Sequence, residues 1–172
     1  DKVKEFIRPE IQALAAYHVP DSANTIKLDA MENPYQWPDD LTDQWLEVIR
    51  KVELNRYPDP SARVLKQHLR GSMDVPDESE ILLGNGSDEL IQMIIMALAG
   101  NDSSGKKHCI LSVAPGFVMY KMIATFMDMP YIAMPLKENF SIDEVEFINA
   151  IKQHQPAVIF LAYPNNPTSN LF

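Results

Sequence analysis

The sequence is poor in cysteine and histidine. Cys109 is the single cysteine among 172 residues, so an intrachain disulfide is excluded. Secreted domains often carry several disulfides, whereas cytoplasmic proteins keep their thiols reduced. We therefore expect a cytoplasmic protein in which Cys109 is a small buried apolar residue. The four histidines are far apart and have no carboxylate or thiol at ligand spacing, so we expect no metal site.

Long apolar runs and clustered positive charge are also missing. The longest apolar segment, residues 91–99, is far shorter than the roughly 20 residues that a membrane-spanning helix needs. The chain has 15 basic and 24 acidic residues, a net charge of −9, and its basic residues are scattered. Nucleic-acid backbones bind clustered Lys and Arg. We therefore expect neither a membrane nor a nucleic acid as a partner.

The first 75 residues read as an arm followed by helices. Proline interrupts the short helical patterns of residues 1–20, which is typical of an N-terminal arm. Alternating polarity predicts an edge strand at 26–31. Apolar residues at helical spacing predict helices at 41–52 and 61–69, the second with Ser61 as its N-cap.

From residue 80 onward, strand and helix patterns alternate. Short apolar runs predict strands at 80–83, 109–114, 131–134 and 157–162. Helical patterns lie between them at 89–99, 119–127 and 142–154. Strands separated by helices are typical of parallel βαβ units, so the predicted fold class is α/β, with helices around a mainly parallel sheet. Ligands of such sheets bind at the carboxyl ends of the strands.

The loop after the first predicted strand has the sequence GNGSDE, residues 84–89. Its two glycines permit a tight turn, and Ser87 opens the next helix. A helix N-terminus presents unpaired backbone N–H groups and a positive dipole end, which together suit a phosphate. An ordinary capping turn made by Ser87 explains the same residues equally well.

Two further loops place distinctive side chains after strands. In residues 114–120 (APGFVMY), Phe117 either lies over a flat ligand or covers the core. In residues 163–168 (YPNNPT), prolines on both sides of Asn166 restrict the backbone. The amide of Asn166 is therefore a positioned hydrogen-bonding group at the edge of the sheet.

Together these segments resemble the fold type I aminotransferases, which use pyridoxal 5′-phosphate (PLP). Residues 165–168 resemble that family's Asn-Pro-Thr-Gly motif, with Ser169 where glycine is usual. Residues 86–89 resemble its phosphate-binding turn, and residues 115–120 resemble the segment that carries its ring-stacking aromatic.

Two earlier segments narrow the resemblance to the histidinol-phosphate aminotransferase branch. These are residues 26–35 (IKLDAMENPY) and 56–59 (RYPD), although Met31 stands where a polar residue is common. The similar segments occur in the family's order over essentially the whole chain.

The resemblance implies a role for several residues. The backbone N–H groups of Ser87 and Asp88 would bind the PLP phosphate, Phe117 would stack on the pyridine ring, and Asn166 would hydrogen-bond the ring's O3′. Tyr57 would reach across a homodimer interface to the partner's cofactor phosphate. The substrate pocket would be lined by Tyr17, Glu32, Asn33 and Tyr35.

The same resemblance implies the organisation and activity of the protein. It divides the chain into an arm with a substrate-side segment (1–35), a helical segment with dimer contacts (36–75) and the first half of a large PLP-binding domain (76–172). The implied reaction interconverts histidinol phosphate plus 2-oxoglutarate with imidazole acetol phosphate plus glutamate, in histidine biosynthesis.

The Schiff-base lysine of the family lies downstream of the Asn-Pro-Thr turn. No lysine of this chain occupies a matching motif, and we expect solvated charges at Lys106, Lys107, Lys121, Lys137 and Lys152. We therefore expect the chain to be the amino-terminal part of a longer enzyme and to be inactive alone.

Other functions share these motifs. Another fold type I PLP enzyme is one alternative: a phospho-amino-acid decarboxylase, an aromatic aminotransferase or a β-lyase. A non-catalytic, ligand-sensing module of the same fold is a second one.

Overall fold

A computed structural model describes residues 2–15, 23–26 and 32–172 of the chain. They form two compact units, one from residues 1–15 and 83–172 and the other from residues 16–82. Most of the edge strand predicted at 26–31 lies outside the described residues, as does Tyr17.

The secondary structure begins with a short 3₁₀ helix, Lys2–Phe6. The helices that follow are α1 (Pro9–Gln12), α2 (Asp39–Ile49), α3 (Arg63–Ser72), α4 (Gly86–Leu98), α5 (Val118–Phe126) and α6 (Glu144–His154). The strands are β1 (Ile110–Ala114), β2 (Tyr131–Pro135) and β3 (Val158–Phe160). No helix in the described part of the chain is long and apolar enough to cross a membrane.

The first unit is built on a parallel sheet of three strands in the order β2-β1-β3. Ile110 of β1 is paired with Tyr131 on one side and with Val158 on the other. Because β1 is central, its residues from Ile110 to Val113 are buried. These strands and their connecting helices confirm the predicted α/β class.

Helices cover both faces of this sheet, because successive strand residues point to opposite sides. On one side, Ile110 packs with residues of α4 and α5, including Ile95 and Ile123. On the other side, Leu111 packs with Phe147 of α6. The alternation of strands and helices in the sequence therefore produces a layered core.

The arm is attached to the first unit through Arg8. Its guanidinium donates hydrogen bonds to the carbonyl oxygens of Thr125 (3.2 Å) and Phe126 (2.5 Å) at the end of α5. The last carbonyls of a helix lack internal partners and carry the negative end of its dipole, so a cation is favourable there.

Two elements differ from the sequence prediction. Residues 80–83 do not form a strand, because a strand requires a hydrogen-bonded neighbour and no described residue pairs with them. The helix predicted from Ser61 begins at Arg63, after Ala62 in the left-handed conformation (φ 46°). Asp59 replaces Ser61 at this helix start, accepting from the backbone N–H groups of Ser61 (3.0 Å) and Arg63 (3.3 Å).

The second unit contributes α2 and α3. The helix predicted at 41–52 begins at Asp39, directly after Pro38, because two aspartates in its first turn favour an N-terminus there. The rings of Trp37 and Trp45 meet edge to face, with 5.8 Å between their centroids. None of the described residues of this unit is buried, so its core is small.

Candidate functional site

The loops that follow β1 and β3 meet at the carboxyl edge of the sheet. Because the strands are parallel, their carboxyl ends share one edge. The side-chain Nδ2 of Asn165, after β3, donates to the carbonyl oxygen of Pro115, after β1, at 3.1 Å. The structure thereby brings the loops that carry Phe117 and Asn166 together.

The C-terminal end of α4 lies at the opposite edge of the sheet from these loops. This end of α4 lies beside the start of β1, since His108 contacts the carbonyl oxygen of Leu98 (Nδ1, 2.8 Å) and that of Gly100 (backbone N–H, 2.9 Å). The 13 residues of α4 span about 20 Å, enough to cross the sheet. Helices of parallel βαβ units run antiparallel to the strands that they connect, so we infer that the first turn of α4 carries Ser87 and Asp88 to the carboxyl side.

The start of α4 suits an anion. Gly86 has a positive φ of 81°, which favours glycine. Asn85 precedes the helix without a side-chain capping bond, and the carboxylate of Glu89 accepts from the backbone N–H of Asn85. The capping turn predicted through Ser87 is therefore wrong, because the N-cap is Asn85, two residues earlier. First-turn N–H groups such as those of Ser87 and Asp88 have no acceptor within the helix.

Phe117 is half-buried beside the core. Its ring meets that of Tyr120 edge to face at 5.4 Å, and Tyr120 stacks on Phe160 at 4.8 Å. Burial raises the pKa of the Tyr120 hydroxyl above its usual range. Phe117 therefore covers the core, as one interpretation of the sequence holds, while part of its side chain remains exposed.

Gly116 permits the close approach that places Phe117. A Cβ atom at residue 116 would lie 2.4 Å from the carbonyl oxygen of Val113, inside any normal contact distance. The chain therefore folds back on the end of β1 in a way that only glycine allows.

Asn165, which the sequence analysis did not single out, is the buried residue of this turn. Only 2% of it is exposed, whereas the neighbouring Asn166 is half-buried. Its Nδ2 also donates to Thr168 Oγ1 at 2.6 Å, and its Oδ1 has no hydrogen-bond partner among the described residues. Sequence alone does not distinguish two adjacent asparagines, because burial depends on the distant contact with Pro115.

The turn closes through its backbone. The N–H of Ser169 donates to the carbonyl oxygen of Asn165 at 2.7 Å, and the N–H of Asn165 donates to that of Asn170 at 2.9 Å. Ser169 has a φ of 61°, in the region that glycine prefers. The family's usual glycine at this position matches that conformation.

The other predicted site residues belong to the second unit. Tyr57 is fully exposed and Tyr35 is 82% exposed. The side-chain Oδ1 of Asn33 accepts from the backbone N–H of Tyr35 at 3.1 Å, which forms a local turn, and Glu32 is exposed beside it. The contacts described for these residues lie within the second unit.

The lysines of the first unit lie at its surface. Lys107 pairs with Asp128 at 2.5 Å, and Lys137 pairs with Asp143 at 3.4 Å. The backbone N–H of Glu146 lowers the pKa of Asp143, and Lys137 contributes to the same effect. These contacts match the prediction of solvated charges.

Cys109 is buried, as predicted, and its burial raises the pKa of the thiol. A raised pKa reduces the fraction of thiolate, the reactive form. Among the residues with described positions, no group of three or more His, Cys, Asp or Glu side chains could hold a metal ion.

Comparison with known proteins adds a family to this geometry. Residues 23–172 match the family described as aminotransferase class I and II. The chain is 54% identical over 173 residues to "Histidinol-phosphate aminotransferase" from Thiocapsa roseopersicina, with all of the chain and 89% of the relative covered. It is 51% identical over 172 residues to "Histidinol-phosphate aminotransferase 2" from Nitrosococcus oceani, where it covers 46% of the relative, about half its length.

A solved structure has the same fold. It is histidinol-phosphate aminotransferase from Sinorhizobium meliloti, in complex with pyridoxal-5′-phosphate. The match covers 94% of this chain and 43% of the Sinorhizobium meliloti chain, with a TM-score of 0.73. The sequences of the two are 18% identical, so this likeness concerns the fold. The predicted aminotransferase fold is therefore confirmed.

Proposed function

This chain belongs to the aminotransferase class I and II family, and from that premise we propose that it is part of a PLP-dependent histidinol-phosphate aminotransferase. The reaction would interconvert histidinol phosphate plus 2-oxoglutarate with imidazole acetol phosphate plus glutamate, in histidine biosynthesis. The observation that supports this most is the high identity, over the whole chain, to two relatives with that name.

The residues at the carboxyl edge fit PLP. The cofactor has an anionic phosphate, a flat ring and an O3′ oxygen. The first turn of α4 supplies backbone N–H groups, and no atom lies within 4 Å of a Cβ built at Gly86, so there is space beside them. The aromatic ring of Phe117 suits the flat ring of PLP, and the amide of Asn166 can donate to its O3′ oxygen.

When bound, PLP accepts the electrons that remain on the substrate's α-carbon after loss of a proton. The residues of this chain bind and orient. Ser87 and Asp88 would hold the phosphate, aided by a dipole equivalent to about half a positive charge at the start of α4. Phe117 would fix the plane of the ring, and the amide of Asn166 would hold O3′ at one position.

The second unit would serve substrate and partner. We assign Tyr17, Glu32, Asn33 and Tyr35 to the substrate pocket, and Tyr57 to the cofactor phosphate of the partner in a cytoplasmic homodimer. Full exposure of the Tyr57 side chain supports this assignment, because a residue that serves a partner's site need not pack within its own chain. Residues 36–75 would then carry dimer contacts, and residues 76–172 would carry the first half of the PLP-binding domain.

Visible absorption of the purified full-length protein tests this function. We expect a yellow protein whose band disappears on addition of histidinol phosphate without an oxo acid. Histidinol, which lacks the phosphate, and an aromatic amino acid serve as matched controls and should leave the band nearly unchanged. A response to the aromatic amino acid alone would favour another fold type I PLP enzyme. A protein that PLP cannot colour would contradict any PLP-dependent activity.

A further inference from the structure

We propose that Asn165 is a positioning residue, which holds the amide of Asn166 in place relative to Phe117 by joining the loops after β1 and β3. This inference rests on the proposed function, because Asn166 and Phe117 are assigned to PLP there. Asn165 itself would not touch the cofactor.

The two donors of the Asn165 amide point to this role. One N–H bonds to the carbonyl oxygen of Pro115 at 3.1 Å, across 50 residues of sequence. The other bonds to Thr168 Oγ1 at 2.6 Å, within the turn that carries Asn166. A primary amide has two N–H donors, and both are used, one for each loop. Among the described residues, no other hydrogen bond joins these two loops.

The orientation of the amide is fixed by its partners. With O and N exchanged, the Asn165 oxygen would face the carbonyl oxygen of Pro115, and two acceptors repel. In the observed orientation Oδ1 is buried without a described partner. A buried acceptor without a partner is costly. We attribute the presence of asparagine at residue 165 to the need for both N–H donors, because an apolar side chain would fill the space without that cost.

The effect on Asn166 follows from chain geometry. Adjacent Cα atoms are about 3.8 Å apart, so a shift of Asn165 is passed directly to Asn166. Phe117 lies two residues beyond Pro115, at the other end of the same connection. Loss of the Pro115 bond would therefore change the distance from the Asn166 amide to O3′ without removing either cofactor contact.

Asn165→Asp tests the proposal, because it keeps the shape of the side chain and removes its donors. Ser112→Ala is the matched control. Ser112 is also fully buried, and its hydroxyl donates to the carbonyl oxygen of Phe160 at 2.8 Å, so it too connects β1 with β3. It lies within the sheet and outside both loops. The measurements, all on the full-length protein, are the melting temperature, the dissociation constant for PLP and the pH midpoint of the visible band of bound PLP.

Both variants should melt at a lower temperature than the wild type. We expect Asn165→Asp alone to weaken PLP binding, by up to the roughly 10-fold that one neutral hydrogen bond contributes, because the bond from Asn166 to O3′ is displaced and not removed. It should also move the pH midpoint. If Asn165→Asp does not fold, Asn165→Ser, whose hydroxyl is too short to reach Pro115, replaces it in the comparison. A variant at residue 165 that changes only the melting temperature, as Ser112→Ala does, would overturn the inference. A wild-type protein that binds no PLP would instead overturn the proposed function.

Discussion

Alanine at residue 116 should destabilise the protein markedly. The added Cβ would lie 2.4 Å from the carbonyl oxygen of Val113, so one of the two backbones must move. Val113 is 1% exposed and paired with Met134 in the sheet, and it cannot move without disturbing that pairing. Overpacking of a core costs about 1–3 kcal/mol. For a chain of 172 residues this lowers the melting temperature by roughly 2–12 °C.

Gly71→Ala is the matched control for this substitution. No atom lies within 4 Å of a Cβ built at Gly71, and the residue lies inside α3. Alanine there should stabilise the helix by about 0.5–1 kcal/mol. Thermal melting of the PLP-free protein is the assay, because bound ligand would add its own stabilisation. A Gly116→Ala protein as stable as the wild type would refute the close approach of residue 116 to β1.

Three further substitutions or treatments test local features. Ser169→Gly should raise the melting temperature, because the left-handed conformation costs a non-glycine residue about 1–2 kcal/mol. The larger loss of backbone entropy when glycine folds offsets about 0.5–1 kcal/mol of that gain. Ser169→Ala, the control, should not raise the melting temperature. Asp143→Asn should lower stability at neutral pH, and the deficit should vanish in acid. The pKa of Asp143 is lowered in the folded protein, chiefly by the backbone N–H of Glu146. The Asp143 carboxylate therefore contributes its full stabilisation above about pH 4, the pKa of an unfolded chain, and loses it as the pH falls through the lower pKa of the folded state. Melting curves at a series of pH values would show this, and a constant deficit at all pH values would contradict it. Cys109 should react slowly with iodoacetamide in the native protein and rapidly in urea, as mass spectrometry would detect, because burial raises its pKa; fast native labelling would contradict the buried position.

The strands of the sheet were predictable from local sequence where they are central or directly beside the central strand. The apolar run that ends at Ala114 forms β1 because both of its faces are covered. Residues 80–83 are also largely apolar but form no strand, because a local sequence pattern does not show whether a neighbouring strand is available for pairing. Helix starts were less predictable, as at Arg63, where Asp59 and not Ser61 provides the acceptor.

The candidate site was predictable in its types of group and less so in its detail. Strand ends followed by glycine, aromatic and amide residues indicated the edge of the sheet where ligands bind. The burial of Asn165 depends on a hydrogen bond to Pro115, 50 residues away. The start of α4 depends on the positive φ of Gly86. The sequence has a second glycine at residue 84, and a local pattern does not show which of the two adopts that conformation.

Glutamate formation from 2-oxoglutarate by the full-length protein tests most directly whether this chain serves a histidinol-phosphate aminotransferase. The amino donors to compare are histidinol phosphate and histidinol, under the same conditions. Hydrogen bonds to charged groups contribute about 1.5–3 kcal/mol each, so a substrate pocket that makes even one bond to the substrate phosphate should give a kcat/KM at least about 10-fold higher for histidinol phosphate. Glutamate formed at equal rates from both donors, or from neither, would contradict the proposed activity.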